Sequence, residues 1–120
     1  MPVIKLTSSS EKADEGSNYD LAWTFSSTPL TLYWRLTDLL DNVINGRSAV
    51  EVSNPSASET VKLSGDDLGV TAAEKAATDE DFITRCCTVY GTYNDGGVTR
   101  AFRKEARFLV YFTTTDHDGA

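Results

Sequence analysis

Residues 31–37 read TLYWRLT, and the alternation within them decides the fold. Successive side chains of an extended segment point to opposite faces. Leu32, Trp34 and Leu36 therefore share one face, and Tyr33, Arg35 and Thr37 the other. Trp34 belongs to the buried face, where one indole supplies a large share of core area, and Arg35 points away from it. The next residues, DLLDNVIN (38–45), turn the chain. Asp41 and Asn42 are good turn formers, and Asn45 with Gly46 supplies a second turn because both tolerate positive φ.

The same period of two recurs on either side. YDLAWTFS (19–26) places Leu21, Trp23 and Phe25 on one face. VIKLTS (3–8), SAVEVS (48–53) and TVKLS (60–64) read as further strands. FITRCCTVYGTY (82–93) puts Cys87, Val89 and Gly91 together, and ARFLVYFT (106–113) turns Ala106, Phe108, Val110 and Phe112 inward. NDGG (94–97) is a hairpin signal, since Asp-Gly suits a primed turn. Thr71 and Glu74 have the spacing of a capping box, so AAEKAA (72–77) forms a helix of one or two turns. Residues 9–18 form a polar loop without periodicity, and 114–120 a flexible polar tail. The sum is an all-β chain, an immunoglobulin-like β-sandwich of about seven strands with one short helix before the penultimate strand. Its expected core is Trp23, Phe25, Leu32, Trp34, Leu36, Cys87, Val89, Phe108, Val110 and Phe112. The disulfide of antibody domains is missing, because the second strand carries no cysteine. An up-and-down or Greek-key barrel is the alternative architecture.

The chain has 120 residues, 40 % hydrophobic and 24 % charged. That suits one globular domain over 1–120, able to bury a core without metal or disulfide staples. A net charge of −7 argues against nucleic acid and against an anionic membrane as partner. No apolar run has the length of a membrane span. MPVIKLTSSS lacks the basic and apolar regions of a secretory signal, so synthesis in the cytoplasm of the translating cell is expected. Cys86 and Cys87 are adjacent and point apart along a strand, which prevents their pairing. One buried and one semi-exposed free thiol is the expectation.

Few residues carry chemistry. His117 is the only histidine and sits in the tail, where no catalytic geometry is held. Asp66 with Asp67, and Asp79–Asp81, offer oxygen ligands but no regular calcium-loop spacing. We therefore expect no enzyme activity, no cofactor and no metal site. The less ordinary feature is a cationic strip, Arg100, Arg103, Lys104 and Arg107, which also holds Phe102. On an acidic domain such a strip is a candidate contact for an acidic partner. Tyr19, Tyr33, Tyr90, Tyr93 and Tyr111 are candidate aromatic platforms for a glycan, if several share an exposed face.

The segments LYWRLTDLLDNVIN (32–45), SNPSASETVKLSGDDL (53–68), TVYGTYNDGG (88–97) and EARFLVYF (105–112) together resemble a group of small immunoglobulin-like proteins encoded among the structural genes of tailed bacteriophages. The matching positions run from about Leu32 to Phe112, while the NPSAS loop and the Cys pair fall outside the pattern and the basic TRAFRKEAR segment is individual to this chain. The resemblance implies a virion protein made in the host cytoplasm: a head decoration, a neck or collar piece, or a tail adaptor. Its partners would be other virion proteins in a symmetric, multi-copy assembly. A host-surface or carbohydrate-binding module is the alternative function.

Overall fold

The alternating runs at 19–25 and 31–37 become strands in two different sheets. The computed structural model describes residues 4–6 and 12–113. In chain order the strands are β1 (Ile4–Leu6), β2 (Lys12–Asp14), β3 (Tyr19–Phe25), β4 (Thr31–Thr37), β5 (Val50–Glu51), β6 (Ser58–Leu63), β7 (Phe82–Asp95) and β8 (Val98–Tyr111). The helix α1 (Ala72–Ala76) lies between β6 and β7. One sheet has the order β1-β3-β6 and the other β2-β8-β7-β4-β5. Pairing is antiparallel except for β2, which runs parallel to β8 with Ala13 opposite Val110. Consecutive strands β3 and β4 change sheet, β6 returns beside β3, and the β7–β8 hairpin lies beside β4. This is the strand exchange of an immunoglobulin-like sandwich, with β5 added at the outer edge of the larger sheet. No helix among the described residues is long and apolar enough to cross a membrane.

Most strand ends shift by one or two residues from the sequence expectation, and three differences are larger. Residues 12–14, expected within a loop, form β2, because Ala13 packs into the core and Glu15 N–H donates to Tyr111 C=O at 2.8 Å. Of SAVEVS, only Val50 and Glu51 form the strand β5 beside β4, and Val52 N–H donates to Leu32 C=O at 2.9 Å just beyond it. The closing strand begins at Val98, well before Ala106, so β7 and β8 form a hairpin of 14 residues on each side. Its corner is Gly96-Gly97 rather than Asp-Gly. Both glycines have positive φ (59° and 93°), as a primed turn requires.

The core lies between the sheets. Trp23, Phe25, Leu32, Trp34, Leu36, Cys87, Val89, Phe108 and Val110 are all buried in it. Phe112 is not. It stands one residue beyond β8, half-buried, with the Lys75 ammonium 5.7 Å from its ring centre. Phe102, expected at a partner contact, is 5 % exposed and packs edge-on to Phe25 at 5.8 Å. The expected pair of one buried and one semi-exposed cysteine is corrected too, since both are buried. Cys86 sits on the outer side of β7, between Thr37 and Arg107 of its neighbours.

The helix closes one end of the sandwich. Thr71 Oγ1 accepts from Glu74 N–H at 3.1 Å, and the Glu74 carboxylate accepts from Thr71 N–H at 3.0 Å. A helix this short has no stability alone. Two buried cations hold it: Lys75 pairs with Glu15 and Arg85 with Glu74, both at 2.8 Å. Nearby, Arg47 donates to the buried Asp67 carboxylate from Nε at 2.7 Å and Nη2 at 2.9 Å. The Arg47 guanidinium lies 5.6 Å from the Trp34 ring centre, so it covers that indole.

Candidate functional site

The outward positions of β4, β7 and β8 form rows across the larger sheet. Thr31, Thr92 and Ala101 make one row, Tyr33, Tyr90 and Arg103 the next, and Arg35, Thr88 and Glu105 the third. The Tyr33 and Tyr90 rings stack with centres 5.5 Å apart and planes 18° from parallel. The Thr31 and Thr92 hydroxyls share a hydrogen bond of 2.7 Å. Arg35 pairs with Asp41, a residue at φ 67° in the turn after β4. That left-handed turn brings the carboxylate back over the sheet.

These side chains line an open groove of about 690 Å³. Gly91, between Tyr90 and Thr92 but of the inward parity, lies opposite buried Leu32 and Phe102. A Cβ there would stand 2.0 Å from Thr31 C=O, so only glycine allows β4 and β7 to approach so closely. Thr88 is 1 % exposed, and its Oγ1 makes no hydrogen bond within the described chain. The buried Arg35 Nε is likewise without one. Buried polar groups normally find partners, so two orphans lining one groove favour a bound partner that completes them. Tyrosine and arginine are also the residue types that anchor interfaces. The groove can stack, donate and accept; it does not set a nucleophile beside a base.

The expected contact strip is split by the alternation of β8. Arg103 and Arg107 face outward on the groove's side, whereas Arg100 and Lys104 share the parity of buried Phe102. Arg107 pairs with Glu105 and Arg100 with Asp95. Arg103 and Lys104 make no ion pair with a described residue. The acidic run 79–81 precedes β7, at the end of the hairpin remote from its tip, and pairs with none of the strip. Of the tyrosines, Tyr33 and Tyr90 line the groove, Tyr19 and Tyr93 are buried, and Tyr111 tilts against Phe82. His117 lies outside the described residues.

The remaining candidates are engaged elsewhere. Burial pushes the Asp67 carboxyl up, but the donors of Arg47 and Ser64 outweigh it and hold the carboxyl below its ordinary value. Burial pushes the Cys87 thiol up to about 12. Cys86 is also raised, by burial and then by the Glu105 charge. No group of metal-ligating side chains occurs among the described residues. The chain matches no protein-family model and no curated protein sequence.

Proposed function

We propose that this chain is a structural or accessory component of a tailed-phage particle, a head decoration, neck or collar piece, or tail adaptor. It acts by protein–protein contacts made through the outer face of the larger sheet. The observation that carries the contact surface is the row Tyr33, Tyr90, Arg103, with Arg35 beside it and the unpaired Thr88 hydroxyl beneath. The phage assignment rests on the sequence pattern from Leu32 to Phe112. An acidic patch on a neighbouring virion protein complements Arg103.

The test is Tyr90→Ala combined with Arg103→Glu. Loss of one hot-spot anchor, about 2 kcal/mol, corresponds to a fall of about 30-fold in affinity. Incorporation into particles should drop accordingly while the thermal midpoint stays near that of the parent. Unchanged incorporation would remove this face from the proposal. A second reading, a carbohydrate- or host-surface-binding module, is favoured by the tyrosine pair standing beside the Thr31 and Thr92 hydroxyls. A glycan array separates the two, because binding abolished by Tyr90→Ala supports only the second.

A further inference from the structure

The large apolar side chains that stand exposed among the described residues lie at the two ends of the sandwich. Leu39, Leu40 and Val43 crowd the turn after β4, and Leu40 is 81 % exposed. Leu30 and Val98 lie at the hairpin end. At the first end Leu39, Leu40, Phe82 and Ile83 line a groove of about 660 Å³, with Asp38 and Glu80 also lining it. Glu80 and its neighbours Asp79 and Asp81 make no ion pair with a described residue. Toward the other end Val98 and Arg100, with Lys104 midway along β8, share one side of the strand, and all three are exposed. The Arg100–Asp95 pair is half exposed on both sides, and such pairs are worth little and are readily exchanged.

One end is thus apolar and acidic, the other apolar and basic. They cannot satisfy each other within one copy. Arg100 is opposite Tyr93 and Lys104 opposite Val89, whereas the acids precede Phe82. At the rise of an extended strand the separation is about 20–35 Å, well beyond the screening length of about 8 Å at physiological salt.

We propose that copies of this chain associate head to tail. The Val98, Arg100 and Lys104 side of one hairpin seats in the Leu39, Leu40, Phe82 and Ile83 groove of the next copy, its cations against Glu80 and the adjoining acids. The occupant is a second copy because the chain itself carries both complementary halves at opposite ends. The contact is heterologous, so it closes into a ring or continues as a filament. It uses neither Tyr90 nor Arg103 and does not rest on the phage reading.

The test is sedimentation velocity of the whole chain at low salt, between about 1 μM and about 1 mM, the range in which weak contacts of this kind populate. The parent protein should associate with rising concentration. Arg100→Glu with Lys104→Glu, or Asp79→Lys with Glu80→Lys, should each weaken association by more than about tenfold through like-charge opposition. An equimolar mixture of the two variants should recover it, since each reversed end then meets an opposite charge. Leu40→Ser should weaken it without moving the thermal midpoint. A parent protein that stays monomeric throughout overturns the proposal. So do reversed variants that associate like the parent, or a mixture that fails to recover.

Discussion

Replacing Asp67 by Asn removes one charge at almost constant volume, at a site where the structure sets the cost. The carboxylate is 3 % exposed. One oxygen accepts from Arg47 Nε at 2.7 Å, the other from Arg47 Nη2 at 2.9 Å and Ser64 N–H at 2.8 Å. In the amide, one of these oxygens becomes an NH₂ group facing donors. A hydrogen bond to a charged group contributes about 1.5–3 kcal/mol, and breaking a fully buried pair costs about 3–5 kcal/mol. The Arg47 side chain is 36 % exposed and regains water, which trims the cost. We expect a loss of about 2–3 kcal/mol near pH 7, a large fraction of the stability of about 5–15 kcal/mol typical of a domain.

The pH dependence tests the same reasoning. Burial raises the Asp67 carboxyl, and the Arg47 and Ser64 donors outweigh it, so the folded group titrates below its ordinary value of 3.8. A depressed carboxyl stabilises fully above its unfolded value and loses that contribution as pH falls through the folded one. The gap between parent and Asp67→Asn should therefore be constant from neutrality down to mildly acidic pH, then close on further acidification. Protonated Asp67 and Asn carry the same charge. Urea unfolding followed by the fluorescence of buried Trp23 and Trp34 measures the gap at each pH. A gap that does not narrow in acid, or one below about 0.5 kcal/mol at neutrality, the range of ordinary surface substitutions, would mean that the Asp67 charge does not stabilise the fold.

Trp34→Ala should cost about 3–5 kcal/mol in the same assay, and an unchanged midpoint would place the indole outside the core. Gly91→Ala should lose about 1–3 kcal/mol or more by forcing β4 from β7, since its Cβ meets backbone at 2.0 Å. A thermal midpoint equal to the parent's would show that the strands separate freely there. Cys87, with its thiol raised to about 12, and Cys86 should both resist a thiol reagent in the native protein and react after unfolding. Rapid labelling of either in the native state would contradict their burial.

The strands that were readable in the sequence are those with one face in the core. Leu21, Trp23 and Phe25, then Leu32, Trp34 and Leu36, alternate because each segment is half covered, and Thr71 with Glu74 marks the helix start. Strand β2 was not readable, because three residues with one inward side chain, Ala13, carry no period. The first half of β8 was hidden because Thr99 to Glu105 is mostly polar. Phe102 looked exposed among cations, although counting back from Phe108 by twos puts it inward. The same parity misled at Phe112, where the strand has ended and Lys75 stands beside the ring. The Tyr33–Tyr90 stack depends on the register between β4 and β7, strands far apart in sequence. A reading of each strand separately cannot supply that register.

The most direct test of the proposed function is a mass-spectrometric count of this chain in gradient-purified phage particles from the genome that encodes it. A virion component should be present at a fixed copy number per particle, matched to the symmetry of head, neck or tail. Absence of the chain from particles would contradict that role.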